Sequence, residues 1–304
     1  MTLILAGTPA FASAIFMPII ESGQFEIACL IAQPDKPFGR SKELKPPHTK
    51  TKLAPMGIDI LQPHKIEESF IAHIQALKPD VILVVAYGKI LPQAFLDIAP
   101  CVNIHASILP SWRGASPLQQ MILSQSPYFG ISAMKMNEEL DKGEILGISY
   151  LQNTQQNITE LSLQLSRIGA KLALYVLTHL DEIVPLKQID ANASYCKKVK
   201  KTDGEVNLDS AQDVYRKYLA YCEWPHIFIH SPKGYILKLF DVLLIESCNT
   251  YNAGEILEIE AQGIIIGCGQ GTLRIGALQQ EGKNKLEATI YVRGKHLKKG
   301  DVLC

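Results

Sequence analysis

The sequence predicts a chain in two parts: a doubly wound, mostly parallel α/β sheet, then a small all-β barrel or sandwich. Three observations carry this. Short apolar runs alternate with longer helical patterns through the first half, most of those runs are continuously apolar, and glycines punctuate the last third at hairpin spacing. A length of 304 residues allows two domains that each bury a core, and 47% hydrophobic with 20% charged residues excludes disorder or a fibrous rod. The expected boundaries are 1–183 for the α/β domain, 184–203 for a linker and 204–304 for the β-rich domain.

In the first part Leu3–Ala6, Glu26–Ala32, Ile58–Leu61, Val81–Val85, Val102–Ile104 and Ile131–Met136 read as strands covered on both faces. The helices between them carry start and stop signals. Ala10–Glu21 is followed by Gly23, which suits a helix end. Glu67–Leu77 stops at Lys78-Pro79, because a proline pushes its predecessor out of the helical region. Pro117–Leu123 follows Ser116 as N-cap, with proline in the first turn. Thr159–Leu180, with Leu161, Leu165, Ile168, Leu172 and Val176 at helical spacing, closes the first domain. Periodicity then lapses around Pro185 and the cluster Lys197-Lys198-Val199-Lys200-Lys201, as in a linker. Beyond a helix at Asp213–Tyr221, short strands are expected at Ile227–Ile229, Tyr235–Ile245, Gly254–Ile259, Gly263–Gly267 and Thr272–Ile275.

Thirty basic side chains balance thirty acidic ones, so overall charge cannot hold nucleic acid and any such contact needs a local patch. The longest apolar runs, such as Val81–Ala86, fall far short of the roughly 20 residues a membrane-spanning helix requires. Met1 leads straight into Leu3–Ala6 without a basic flank, so no signal or transit peptide is expected. Seven cysteines, an odd number with no Cys-x-x-Cys pair, predict reduced thiols in the cytoplasm rather than a disulfide framework.

The stretch from Cys101 to Pro117 is the most informative. Asn103 and His105 stand two apart on a strand and so share a face, at the carboxyl end where open α/β sheets place their ligands. They could equally be hydrogen-bonded core groups; the Pro/Gly-rich loop that follows brings the two readings level. Asp141, in Leu140-Asp-Lys-Gly143, could orient and charge-stabilise His105, although an Asp-x-Gly turn explains those residues alone. Gly7-Thr-Pro lacks dinucleotide-site spacing, and Gly267-Cys-Gly-Gln-Gly271 reads as a hairpin turn. The remaining histidines have no metal-ligand spacing, so no metal is expected. The segment Gln33–Pro47 carries Lys36, Arg40, Lys42 and Lys45 against Asp35 and Glu43. It is either a solvated loop or a mobile basic arm above the site, suited to an anionic partner.

Asn103-Ile-His105, Ser107-Ile-Leu-Pro110 and Asp141 together resemble the folate-dependent formyltransferases. Ala6-Gly-Thr-Pro-Ala-Phe-Ala12, Gln33-Pro-Asp-Lys-Pro with Gly39-Arg40, Ala86-Tyr-Gly-Lys-Ile-Leu-Pro92, Trp112-Arg-Gly-Ala-Ser-Pro117 and Leu140-Asp-Lys-Gly-Glu-Ile145 are similar to those members whose acceptor is a charged tRNA. The likeness is dense over the first domain and continues through Tyr195-Cys-Lys-Lys and Trp224-Pro225. It implies a Rossmann-like domain followed by a barrel resembling an OB-fold. It also implies a monomeric cytoplasmic enzyme that passes formyl from 10-formyltetrahydrofolate to the α-amine of methionyl-initiator tRNA for translation initiation. By the same resemblance Asn103, His105 and Asp141 form the catalytic trio, and Ser107, Ile108, Leu109 and Pro110 line the folate site. Arg40, Lys42, Lys197 and Lys198 would meet the tRNA, with 204–304 as its binding domain. Ala10 and Ile108 depart from the family's usual acidic residue and leucine. A formyltransferase acting on a small amine would share the trio, whereas a binding protein on an inactivated scaffold would not need it.

Overall fold

The computed structural model describes residues 1–39, 42–231 and 234–303. The chain divides into two compact units. The first comprises Met1–Pro117, Ser126–Asn153 and Glu160–Lys197; the second comprises Leu118–Gln125, Thr154–Thr159 and Lys198–Cys304.

The first unit is built on seven strands: Thr2–Gly7 (β1), Glu26–Ile31 (β2), Ile60–Leu61 (β3), Val81–Val85 (β4), Cys101–His105 (β5), Tyr128–Lys135 (β6) and Ile145–Gln152 (β7). Their order across the sheet is β7-β6-β5-β4-β1-β2-β3, with the first five in sequence mutually parallel, β6 antiparallel to β5 and β7 antiparallel to β6. Order reverses between β1 and β4, the switch point at which such sheets open a crevice outside their carboxyl ends.

β4 and β5 are buried at every residue, which explains the unbroken apolar run of β4, while β5 carries Asn103 and His105 among its apolar residues. On one face Ile4, Ala6, Ile31, Ile82 and Val84 pack with Ile74 of a helix at Glu68–Ala76 and Phe95 of one at Gln93–Leu96. On the other, Gly169 of the long helix Ile158–Thr178 lies against Ile104, Ile131 and Ile15, the last from the helix Ala10–Glu21. Helices therefore cover both faces, as the doubly wound expectation requires.

Strand β7 is absent from the apolar-run reading for a physical reason. It is an edge strand whose residues alternate between half-buried and exposed, with only Leu146 buried. The basic segment also carries more structure than a loop, since Lys36–Phe38 pairs antiparallel with Glu43–Lys45. Residues 184–203, read as a linker, contain a short strand, Tyr195–Cys196, parallel to Arg113–Gly114, and run into a 3₁₀ turn at Lys201–Gly204.

The second unit carries six antiparallel strands: Ile227–His230 (β8), Ile236–Glu246 (β9), Ile256–Glu260 (β10), Gly263–Gly267 (β11), Thr272–Gln280 (β12) and Leu286–Glu287 (β13). They run β8-β9-β12-β11-β10, with β13 added beside β12. The expected hairpin at Gly267–Gly271 joins β11 to β12, closed by the Cys268 N–H on the Gly271 carbonyl at 2.9 Å. Ala211–Tyr221 is the expected helix, begun by Ser210, whose side chain accepts from the Asp213 N–H. A final helix, Ala288–Gly294, buries Ala288, Tyr291 and Val292. Among the described residues no helix is long and apolar enough to cross a membrane.

Candidate active site

The alternation of strand side chains puts Cys101, Asn103 and His105 on one face of β5, and the strand ends at His105. Both polar residues are nearly buried, at 9% and 7% exposure. Polar groups so placed need partners. Asp141, contributed by the turn between β6 and β7, supplies them: its Oδ1 lies 3.5 Å from Asn103 Nδ2 and 3.7 Å from His105 Nδ1. The structure thus brings together three residues separated by up to 38 positions. The other carboxylate oxygen accepts from the Gly114 N–H at 2.8 Å. On the far side of the ring, His105 Nε2 donates to the Trp112 carbonyl at 3.1 Å. The imidazole is bracketed by two acceptors.

The backbone is bent to make these contacts. Trp112 and Asp141 both adopt left-handed conformations, with φ of 61° and 52°, at a cost of about 1–2 kcal/mol each for residues with a Cβ. Gly114, at φ 120°, approaches the Cys196 carbonyl so closely that a Cβ would collide with it. Gly143 meets the Lys135 carbonyl in the same way. Arg-Gly and Asp-x-Gly are therefore steric requirements of this site.

Behind the trio lies a polar network that sequence reasoning did not reach. Arg113 is wholly buried and its Nε and Nη2 donate to Gln188 Oε1 at 3.0 and 2.8 Å. Nη1 reaches Asp190 at 2.8 Å and the Tyr195 hydroxyl at 3.1 Å. Burial alone would lower the guanidinium's pKa; Asp190 and Tyr195 outweigh it and hold Arg113 above its ordinary value. Gln188 Nε2 donates to the carbonyls of Asp141 and Gly143 at 2.9 and 2.7 Å. The cue available in the sequence was Arg113 itself, a charged residue within an otherwise small and apolar run. Cys196 also borders the site, donating to the Trp112 carbonyl at 3.3 Å. Burial, with the Asp141 charge adding to it, pushes its thiol upward, so it is poorly suited to act as a nucleophile.

The other predicted positions divide. Ser107 and Leu109 are buried, and the Ser107 hydroxyl is spent on the Ser111 carbonyl at 2.6 Å, so these two support the loop from within. Ile108 and Pro110 are half-buried, Ile108 lying against Gly130 of β6. Lys42, Lys197 and Lys198 are exposed. Arg40 lies outside the described residues. Among the described residues no group of three or more His, Cys, Asp or Glu side chains is placed to hold a metal ion.

A strand-end amide, an imidazole and a carboxylate on a doubly wound sheet are the equipment of acyl-type group transfer. Residues 1–166 match the formyl transferase family and residues 198–296 match the formyl transferase C-terminal domain; the chain belongs to the formyl transferase family. Over its full length it is 45% identical, across 308 aligned residues covering 100% of both chains, to the methionyl-tRNA formyltransferase of Helicobacter acinonychis (strain Sheeba). Among solved structures, it is similar in fold to HypX from Aquifex aeolicus in complex with tetrahydrofolic acid. That likeness has a TM-score of 0.70 at 16% identity, over 98% of this chain and 48% of the other. The methionyl-tRNA formyltransferase from Clostridium thermocellum matches with a TM-score of 0.57 at 20% identity, over 81% of this chain and 94% of that one.

Proposed function

We propose that the chain transfers the formyl group of 10-formyltetrahydrofolate to the α-amino group of methionyl-initiator tRNA, in the cytoplasm, to supply translation initiation. The observation that carries this reading is the convergence of Asn103, His105 and Asp141 at the carboxyl end of β5. The full-length likeness to methionyl-tRNA formyltransferases supports the acceptor, and a fold neighbour holding tetrahydrofolic acid supports the donor class.

The chemistry follows from the geometry. The free amine attacks the formyl carbon, a carbon–nitrogen bond forms, and the carbonyl oxygen gains negative charge. Asn103 has two amide hydrogens, one facing Asp141 and the other available to that oxygen. The His105 Nε2 proton, now on the Trp112 carbonyl, is a second donor an entering oxyanion can take over. One such donor is worth about 3–4 kcal/mol of barrier. Collapse breaks the bond to the folate nitrogen, which leaves with a proton, and the ammonium loses one. Asp141 stabilises the imidazolium while His105 carries the proton between them. In this reading Ile108 and Pro110 form the donor's apolar wall, with Ser107 and Leu109 buried beneath. Arg40 and the exposed Lys42, Lys197 and Lys198 meet phosphates, 1–183 is the catalytic domain, 184–203 the linker and 204–304 the tRNA-binding domain.

The test is transfer of labelled formyl from 10-formyltetrahydrofolate to charged initiator Met-tRNA, with elongator Met-tRNA as control. Initiator-only transfer is expected. Folate binding without transfer to either tRNA overturns the acceptor, and neither binding nor transfer overturns the whole assignment.

A further inference from the structure

We infer that Arg113 and Gln188 are positioning residues for Asp141, acting on the turn that presents its carboxylate and not on the substrate. The inference rests on the proposed role of Asp141 in the trio. The contacts from Asp141 Oδ1 to Asn103 and His105, at 3.5 and 3.7 Å, are at the long limit of useful interaction, so a small shift of the turn decides whether they exist. What fixes the turn is therefore part of the catalytic geometry.

Packing holds only part of it, where Gly143 lies against the Lys135 carbonyl. A cavity of about 360 Å³ adjoins the turn, lined by Lys135, Lys142, Gly143, Lys187, Gln188 and Asp190 among others. Hydrogen bonds fix the rest. Both Gln188 amide hydrogens go to turn carbonyls, Asp141 and Gly143, and its oxygen takes two guanidinium hydrogens from Arg113. The amide is saturated and cannot rotate without breaking four bonds. Arg113 is in turn fixed by Asp190, by Tyr195, and by the pairing of Arg113–Gly114 with Tyr195–Cys196. The neighbouring Gly114 N–H holds the Asp141 carboxylate itself. One two-residue strand thus governs Asp141 twice, at its oxygen directly and at its backbone through Gln188. A fully buried guanidinium stabilises a fold no better than a well-packed apolar residue; fixing a charged group in register is the better-attested use.

The experiment uses the full chain and the formyl-transfer assay with charged initiator Met-tRNA. Gln188→Glu keeps the acceptor for Arg113 but cannot donate to both turn carbonyls. Its kcat is expected to fall about ten- to hundred-fold, the range typical of residues that orient a functional group from behind, with both KM values within about twofold of the parent's. Placed on Asp141→Ala, Gln188→Glu should cost nothing further, because the group it positions is gone. Arg113→Lys, which keeps the charge beside Asp190 but lacks the fork, should reproduce the kcat loss and carries the test should Gln188→Glu not fold. Folded variants with parental kcat, or losses that add fully to that of Asp141→Ala, overturn the inference. A fully active Asp141→Ala instead overturns the reading of the trio, and this inference falls with it.

Discussion

Two segments of the first unit leave the carboxyl ends of parallel strands, and they are built to opposite specifications. The loop after β5 is tied at nearly every residue. The Ser132 hydroxyl accepts from the Leu109 N–H at 3.0 Å and donates to the Ser107 carbonyl at 2.7 Å. Ser107 donates to the Ser111 carbonyl, and the Trp112 N–H donates to the Ser194 hydroxyl at 2.9 Å. The ribbon after β2 is exposed along Glu43–Lys45. At its base Asp35 receives Lys50 at 2.9 Å and the Gln62 amide at 2.7 Å. Group transfer needs donors held within a fraction of an ångström, which irregular backbone obtains only from many hydrogen bonds. Capturing a long polyanion needs charge and reach instead.

The comparison breaks first if the rigid segment is catalytically indifferent. Asn103→Ala and His105→Ala should each lower kcat by about 10²–10³-fold, with the fold kept as judged by thermal melting. Near-parental turnover in either would end the assignment of oxyanion donors. Ser132→Ala is the next largest. It orphans a buried N–H on one side and a carbonyl on the other, each worth about 1–3 kcal/mol, so the melting temperature and kcat should drop together. Loss of stability without loss of turnover would mean that the loop's order serves folding alone.

Much of this was legible in the sequence, and the gaps have physical causes. The central parallel strands announced themselves because burial on both faces favours continuous apolar runs, as in Val81–Val85. Asn103 and His105 were found because a strand has a period of two and a known functional end. The edge strand Ile145–Gln152 escaped because one covered face gives a weak, broken alternation. Gln188 escaped because its role depends entirely on tertiary contacts: a glutamine in an aperiodic stretch looks like any solvated residue, yet here it is 9% exposed. Asp141 could be named only beside the reading of a turn aspartate; it sits in the turn with φ of 52°, and its carboxylate reaches Gly114, Asn103 and His105.

The ribbon should respond differently. Replacing Arg40 and Lys42 with alanine is expected to raise KM for charged tRNA several-fold and leave the KM for the folate unchanged. Each lost phosphate contact should flatten the salt dependence of tRNA binding by about one unit of log–log slope. An unchanged slope would remove the ribbon from the tRNA interface. Its base has a pH signature too. The Gln62 hydrogen bond first, and Lys50 second, hold the Asp35 carboxyl below its ordinary 3.8. Because the folded value is the lower one, the tie is in full force above the ordinary value and is lost as pH falls through the lowered one. Asp35→Asn should speed amide exchange at Lys36–Lys45 at neutral pH while leaving Ser107–Gly114 protected; equal loosening of both would erase the distinction.

The smallest effect uses the cysteines as reporters of the same contrast. Burial pushes the Cys29 and Cys101 thiols up to about 12, so about one in 10⁴ is thiolate at pH 8. Cys248 is exposed and should take up a maleimide first, without loss of turnover. Cys196 is buried beneath the rigid loop, where it accepts the Ser116 N–H at 3.3 Å and donates to the Trp112 carbonyl. It can react only when the strand pairing of Arg113–Gly114 with Tyr195–Cys196 opens. Its slow modification should therefore run in step with loss of formyl transfer and be slowed by bound folate. Labelling of Cys196 as fast as Cys248, with activity intact, would mean that the loop after β5 opens freely and that its hydrogen bonds do not enforce the geometry of the trio.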